Sequence, residues 1–180
     1  MSTTLTGAPQ AVAGQSKLRE FFVEQLQDIY RAEQKLVKTL PKMAEAANSV
    51  ELRQAFEHHL RETENHVSRL ERVFQSIGER SKSKKCLAMA GIVDEGEDII
   101  DDTEDNTAQR DVGLIFAGQK AEHYEIATYG GLIQLAKTLG YDQAAREMSA
   151  TLEEEKKADS KLTSIGESSA NSMASREPKK

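Results

Sequence analysis

The sequence predicts an all-α fold: two helical hairpins packed as a four-helix bundle, joined by a long crossover that carries a short helix of its own. Three observations lead there. Apolar residues recur every three or four positions along four long stretches, and the alternation typical of strands is almost absent. Ala, Glu, Leu, Lys, Gln and Arg dominate those stretches, and the chain has three prolines and no tryptophan. Its 180 residues suffice for one domain with a sizeable core.

Residues 1–15 are small and polar and predict a flexible arm. They lack the basic start and apolar stretch of a secretory signal. From about Ser16 the residues Phe22, Leu26, Ile29, Leu36 and Leu40 mark a first helix, which Pro41 either kinks or breaks. Asn48 or Ser49 is placed to cap a second helix with Leu52, Phe56, Leu70, Val73 and Ile77 on one face. Gly78 is its stop signal. The crossover follows: a basic connector, GERSKSKK, then CLAMAGIVDEGEDIIDD, which reads as one short helix or two. A third long helix runs from about Thr107 to Leu139, with Ile115, Ala121, Tyr129 and Leu132 inward. Gly118, Gly130 and Gly131 within it cost about 1 kcal/mol each against Ala, which close helix approach or local distortion near a site would offset. Gly140 ends that helix and Asp142 caps a fourth, which carries Met148, Leu152 and Leu162 to about Ile165. The bundle therefore spans residues 16–166, and the serine-rich residues 167–180 predict a flexible tail. Two hairpins joined by such a crossover have ferritin-like connectivity.

Charge narrows the function classes. With 24 basic and 30 acidic residues the chain carries −6 at pH 7, which disfavours nucleic acid and anionic membrane as partners. No stretch approaches the roughly 18 apolar residues of a membrane span. Cys86 is the one cysteine, so no internal disulfide forms, and the cytoplasm is the expected compartment. The acidic run from Asp94 to Asp105 lacks the glycine and ligand spacing of an EF-hand loop. No Gly-rich phosphate loop and no metal-binding CxxC is present.

The informative residues are acidic ones on the buried stripes. In the first helix the stripe 22, 26, 29, 33, 36, 40 includes Glu33. In the second, His59, Thr63 and His66 lie on the stripe, and Glu62 flanks it, where a solvated salt bridge is its competing role. In the third, Glu122 and Glu125 fall in line with Tyr129. In the fourth, Glu155 and Asp159 lie between Leu152 and Leu162. Counted outward from the two hairpin turns at about 1.5 Å per residue, Glu33, Glu62, His66, Glu125 and Glu155 each lie roughly 20 to 27 Å away. Within each hairpin they meet at one level. An ionised carboxylate in a protein interior costs several kcal/mol even after relaxation, and neighbouring carboxylates raise one another's pKa. Two metal ions would neutralise them, and hard carboxylates with imidazole suit iron or manganese. Glu33, Glu122, Glu125, Glu155 and His66 are the expected ligands, and Glu62 and Asp159 are expected to complete or tune the shell. Glu125 is placed to bridge or cap a metal, and Tyr129 to hydrogen-bond a ligand. His58 and His123 are expected at the surface. His59 is expected to serve as an outer partner or plain packing.

The strings DIYRAEQKLVKTLPKMAEAA (28–47), AFEHHLRETENHVSRLERVF (55–74), KCLAMAGIVDEG (85–96) and AEHYEIATYGGL (121–132) resemble the YciE/YciF family of bacterial ferritin-like proteins. The likeness covers about Leu18 to Ile165. It implies a rubrerythrin-like fold, a role in bacterial stress responses, a homodimer and a di-metal site. Rubrerythrin-type sites use Glu on the first helix, Glu-x-x-His on the second, Glu-x-x-Glu on the third and Glu-x-x-His on the fourth. By that resemblance Glu33 matches the first, and Glu122 with Glu125 the third. The other two helices depart: Thr63 precedes His66 where Glu is expected, and Ala158 follows Glu155 where His is expected.

Two functions follow as expectations. One is a di-iron or di-manganese carboxylate protein that oxidises Fe(II) or detoxifies peroxide during stress. The other is a non-enzymatic stress scaffold that oligomerises around a structural, weak or empty site.

Overall fold

A computed structural model describes residues 16–178. The arm expected at residues 1–15 lies outside the described residues, as do positions 179 and 180 of the tail. Helix α1 (Lys17–Ala46) starts where Ser16 accepts a hydrogen bond from the Arg19 amide at 3.1 Å. It stays helical through Pro41, so the proline does not divide it. Helix α2 (Val50–Ser76) is capped by Ser49, which accepts from the Leu52 amide at 3.1 Å. It ends at Gly78, whose φ of 75° is the left-handed conformation that glycine adopts without a Cβ penalty. The Glu79 amide then donates back to the Phe74 carbonyl at 2.9 Å.

The crossover carries a single helix, α3 (Leu87–Asp102), which starts at Cys86. Helix α4 (Ala108–Thr138) is capped by Thr107 and ends at Gly140, φ 76°, with the same terminal geometry as α2. In α5 (Asp142–Ile165), Tyr141 occupies the cap position expected for Asp142, which is instead the first helical residue. The tail departs from expectation over its first part. A π-helical turn (Gly166–Ala170) and α6 (Asn171–Ala174) prolong the fourth rod. Glu177 then accepts from the Ala108 and Gln109 amides at 2.6 and 2.9 Å, satisfying two free donors at the start of α4. A capping contact that distant in sequence leaves no local signal in a serine-rich stretch.

The rods close into a ring in the order α1, α2, α5, α4, and α3 packs outside against α4 and α1. Arg19, near the start of α1, bonds Tyr141 beyond the end of α4, while Asn48 and Ser49, beyond the end of α1, bond Asp111 near the start of α4. These two helices are therefore antiparallel, as ferritin-like connectivity requires. Among the four glycines inside α4, Gly113 lets α3 approach, since a Cβ there would lie 2.5 Å from Ile99, and Gly118 has a packing reason within the ring. A Cβ there would lie 2.9 Å from Leu162 and 3.4 Å from Phe56, so α2, α4 and α5 meet closely at that level. Gly130 and Gly131 have nothing within 4 Å, and the packing gives no account of them. Apolar layers fill both ends of the bundle, with Phe22, Leu26, Leu70, Phe74 and Met148 at one and Phe56, Leu114, Leu162 and Ile165 at the other. No helix among the described residues is long and apolar enough to cross a membrane.

Candidate metal centre

Between those apolar layers lies a polar one. Glu33, His66, Glu125 and Glu155 are wholly buried, and His59 and Glu122 nearly so. Each reaches the interior because it sits on the apolar stripe of its own helix. Their donor atoms form two groups, each with members within 4.8 Å of one another: His59, Glu122, Glu125 and Glu155, and Glu33, His66 and Glu155. Glu155 belongs to both. Its two oxygens face different imidazoles, Oε1 lying 3.0 Å from His66 Nδ1 and Oε2 3.5 Å from His59 Nε2.

Each imidazole has one nitrogen turned inward and one turned outward. His66 presents Nδ1 to Glu33 and Glu155, while its Nε2 lies 2.8 Å from Glu154. Arg69 holds Glu154 in turn, donating to its two oxygens at 2.7 and 3.2 Å. His59 is the mirror case. Its Nε2 lies 3.2 Å from Glu122, and its Nδ1 lies 3.4 Å from Glu62. An outer carboxylate that accepts one N–H fixes the ring and leaves the other nitrogen free as a ligand. Tyr129 donates a short hydrogen bond to Glu33 Oε1, as its place on the α4 stripe suggested, and leaves Oε2 without a partner.

The charges are strongly linked. Burial pushes the carboxyls of Glu122 and Glu125 well above the ordinary range, and the charge of Glu155 adds to it. Burial also raises Glu33, against the pull of His66. For His66 burial opposes the charged form, but Glu33 and Glu155 outweigh it and push the pKa up to about 11. Burial disfavours ionised Glu155 too, yet the two imidazoles hold its carboxyl below the usual value. Burial therefore favours the protonated form of Glu33, Glu122 and Glu125, while the flanking carboxylates favour the charged form of His66.

Of the residues expected to hold metal, Glu33, His66, Glu122, Glu125 and Glu155 come together in these groups. Glu62 and Asp159 join neither. Glu62 faces His59 and His58 from outside. Asp159 is turned to the rim, where Gln119 donates to it and His123 lies 3.3 Å away. Glu62 lies one residue, about 100°, off the α2 stripe, and Asp159, though on the α5 stripe, sits a turn beyond Glu155 toward Gln119 and His123. The surface positions of His58 and His123 are as expected, with side chains 66% and 70% exposed.

Two participants escape the stripe reading. His59 lies on the stripe two turns before His66, and its place among the carboxylates follows from α4 offering ligands at two levels, Glu122 and Glu125. The absence of histidine at Ala158 is a usable signal, because it leaves one imidazole to be found elsewhere. Glu154 precedes Glu155 on the solvent side of α5 and has no signal of its own. Thr63, where the rubrerythrin pattern has Glu, turns its hydroxyl to the His59 carbonyl at 2.9 Å and offers the centre nothing.

Comparison with known proteins adds the following. A family model described as a domain of unknown function (DUF892) matches residues 17–175. The chain is 43% identical to protein YciF of Escherichia coli strain K12 over 158 residues, covering 87% of this chain and 95% of that protein. The crystal structure of YciF, described as an E. coli stress protein, superposes with a TM-score of 0.82 at 41% identity, covering 91% of this chain and 100% of that one. A Rhodopseudomonas palustris structure named YcfI gives a TM-score of 0.80 at 36% identity, covering 83% of this chain and 95% of that one.

Proposed function

The chain belongs to the DUF892 family, and from that premise we propose that it is a two-metal bundle protein, binding iron or manganese and oxidising Fe(II) or consuming peroxide under stress. One observation carries the reading. Among the described residues, the seven buried side-chain nitrogen and oxygen atoms that lack a hydrogen-bond partner all belong to Glu33, His66, Glu122, Glu125 and Glu155. Each such atom costs about 1–3 kcal/mol when nothing satisfies it. Gathered in one place, they fit a site that a cation fills.

The donor set agrees. Glu33, Glu122, Glu125 and Glu155 supply four negative charges and His59 with His66 two neutral nitrogens, and two divalent cations balance the four charges. Oxygen-rich sites with imidazole suit iron or manganese, which when bound supply redox chemistry toward peroxide or further Fe(II). The chain's residues do the holding. Glu155 is placed to span both positions. Tyr129 fixes one oxygen of Glu33 so that the other faces inward. Glu154 and Glu62 set the tautomers of His66 and His59. The stress context rests on the likeness to YciF.

Elemental analysis of the full chain, purified from cells grown with iron and manganese, tests this. About two metals per chain are expected, and the double variant Glu122→Ala/Glu125→Ala should lose them. Equal metal in parent and variant would refute the site. Stopped-flow oxidation of Fe(II) and peroxide consumption then decide between a catalytic centre and a structural one on a scaffold.

A further inference from the structure

The centre is not enclosed equally on its two sides. The side chains of Glu33 and His66 have no exposure, and Tyr129 closes over Glu33. Those of His59 and Glu122 retain 7% and 5%. A cavity of about 370 Å³ reaches this second side between α2 and α5. His59 and Glu122 stand at its inner end, Phe56, Ala158 and Leu162 form its walls, and Lys157 and Lys161 line it together with Glu51 and Glu62. Glu122 Oε2 is one of the buried oxygens without a partner. Ala158 makes the room: it lies one turn beyond Glu155 on α5 and ends at a methyl group.

We propose that this cavity is the entry and binding subsite for a small molecule with an apolar body and one anionic head, which places its head at the His59–Glu122 side. This rests on the two-metal reading above. Pockets of about 300–1,000 Å³ suit small organic ligands, and the apolar walls favour a hydrocarbon body. The head must be anionic and the binding must need metal, for one electrostatic reason. Metal-free, the centre holds no divalent cation for an anion to meet; with two cations in place the anionic head has a positive partner, while at the mouth Lys157 and Lys161 offset Glu51 and Glu62. The Glu33–His66 side, with no such opening, keeps its ligands to itself.

Benzoate is the probe, titrated into the full chain loaded with Co(II) and followed by the visible spectrum and by calorimetry. The loaded parent binds benzoate and the metal-free parent does not. Ala158→Trp fills the cavity, keeps the parent's metal content and weakens benzoate by about tenfold or more, while azide, which needs little room, binds as in the parent. Ala55→Trp repeats the result from the opposite wall and carries the test where Ala158→Trp fails to fold by circular dichroism. A loaded parent that ignores benzoate overturns the proposal, and so does equal benzoate affinity in parent and folded variants. A parent that takes up no metal overturns the two-metal reading itself, a separate outcome seen before any benzoate is added.

Discussion

The middle and the ends of this bundle are equally buried and opposite in kind. At one end Phe22, Leu26, Leu70, Phe74 and Met148 pack as an apolar layer, and Tyr30 sets its ring edge-on to Phe74 with centroids 5.7 Å apart. Its hydroxyl finds Glu71 at 2.8 Å. In the middle, the same stripe positions carry carboxylates and imidazoles, seven of whose atoms have no hydrogen-bond partner. The ends are complete as they stand. The middle buries carboxyl groups whose ionised form needs added positive charge to offset the cost of burial. The lesson is that the ends are built for stability, while the middle carries costly groups that the proposed metal binding accounts for.

That contrast can be broken in several ways. The largest effect is expected at an end. Leu26→Ala should cost about 2–5 kcal/mol in urea unfolding, with or without metal, because it opens a cavity among well-packed neighbours. In the middle the sign should reverse. Glu125→Met should stabilise the metal-free chain by about 1–4 kcal/mol, since an apolar group of similar size replaces a buried carboxyl without a hydrogen-bond partner, and should abolish metal loading. A loss of metal-free stability in that variant would place the carboxylate in water rather than in the core.

Smaller is the expected effect of Glu154→Gln. It leaves the inner shell intact but weakens the acceptor that orients His66, so metal affinity should fall about 10-fold to 100-fold in a competition titration, without change in stoichiometry. The pH dependence should be gentler still. Glu33, Glu122 and Glu125 are raised, so their protonated forms fit the fold better than the ionised ones. Their contribution is whole below the ordinary carboxylate pKa and is lost as pH climbs through the raised values. His66, raised to about 11, acts in the same direction over its own range above its ordinary pKa. The metal-free chain should therefore melt higher at pH 5 than at pH 8. Metal loading should flatten or reverse that slope, and a differential-scanning series over this window checks both. Identical slopes with and without metal would detach these groups from the centre.

How much was legible in the sequence differs between the two regions for the same reason they differ in chemistry. The apolar ends announce themselves, since Phe22, Leu26, Leu70 and Leu162 fall on lines of helical period. Glu33, Glu122, Glu125 and Glu155 are legible as departures from those lines. Glu62 and Asp159 were expected to reinforce the centre, but rotation carries Glu62 off the inward face and Asp159 lies a turn along α5, at the rim. His59 was expected as an outer partner or plain packing and instead lies beside Glu122.

What the sequence determined alone is whatever one helix can specify. Rotation of about 100° and rise of about 1.5 Å per residue fix which side chains share a face and a height, and Ser16, Ser49, Gly78 and Gly140 set where helices begin and end. What only the tertiary structure decided is whatever requires two hairpins at once: Glu155 between two imidazoles, Arg69 reaching Glu154, Glu177 capping α4, and the opening beside Ala158. The roll and slide of one hairpin against the other come from side-chain packing across the ring, and no period within a single helix encodes them.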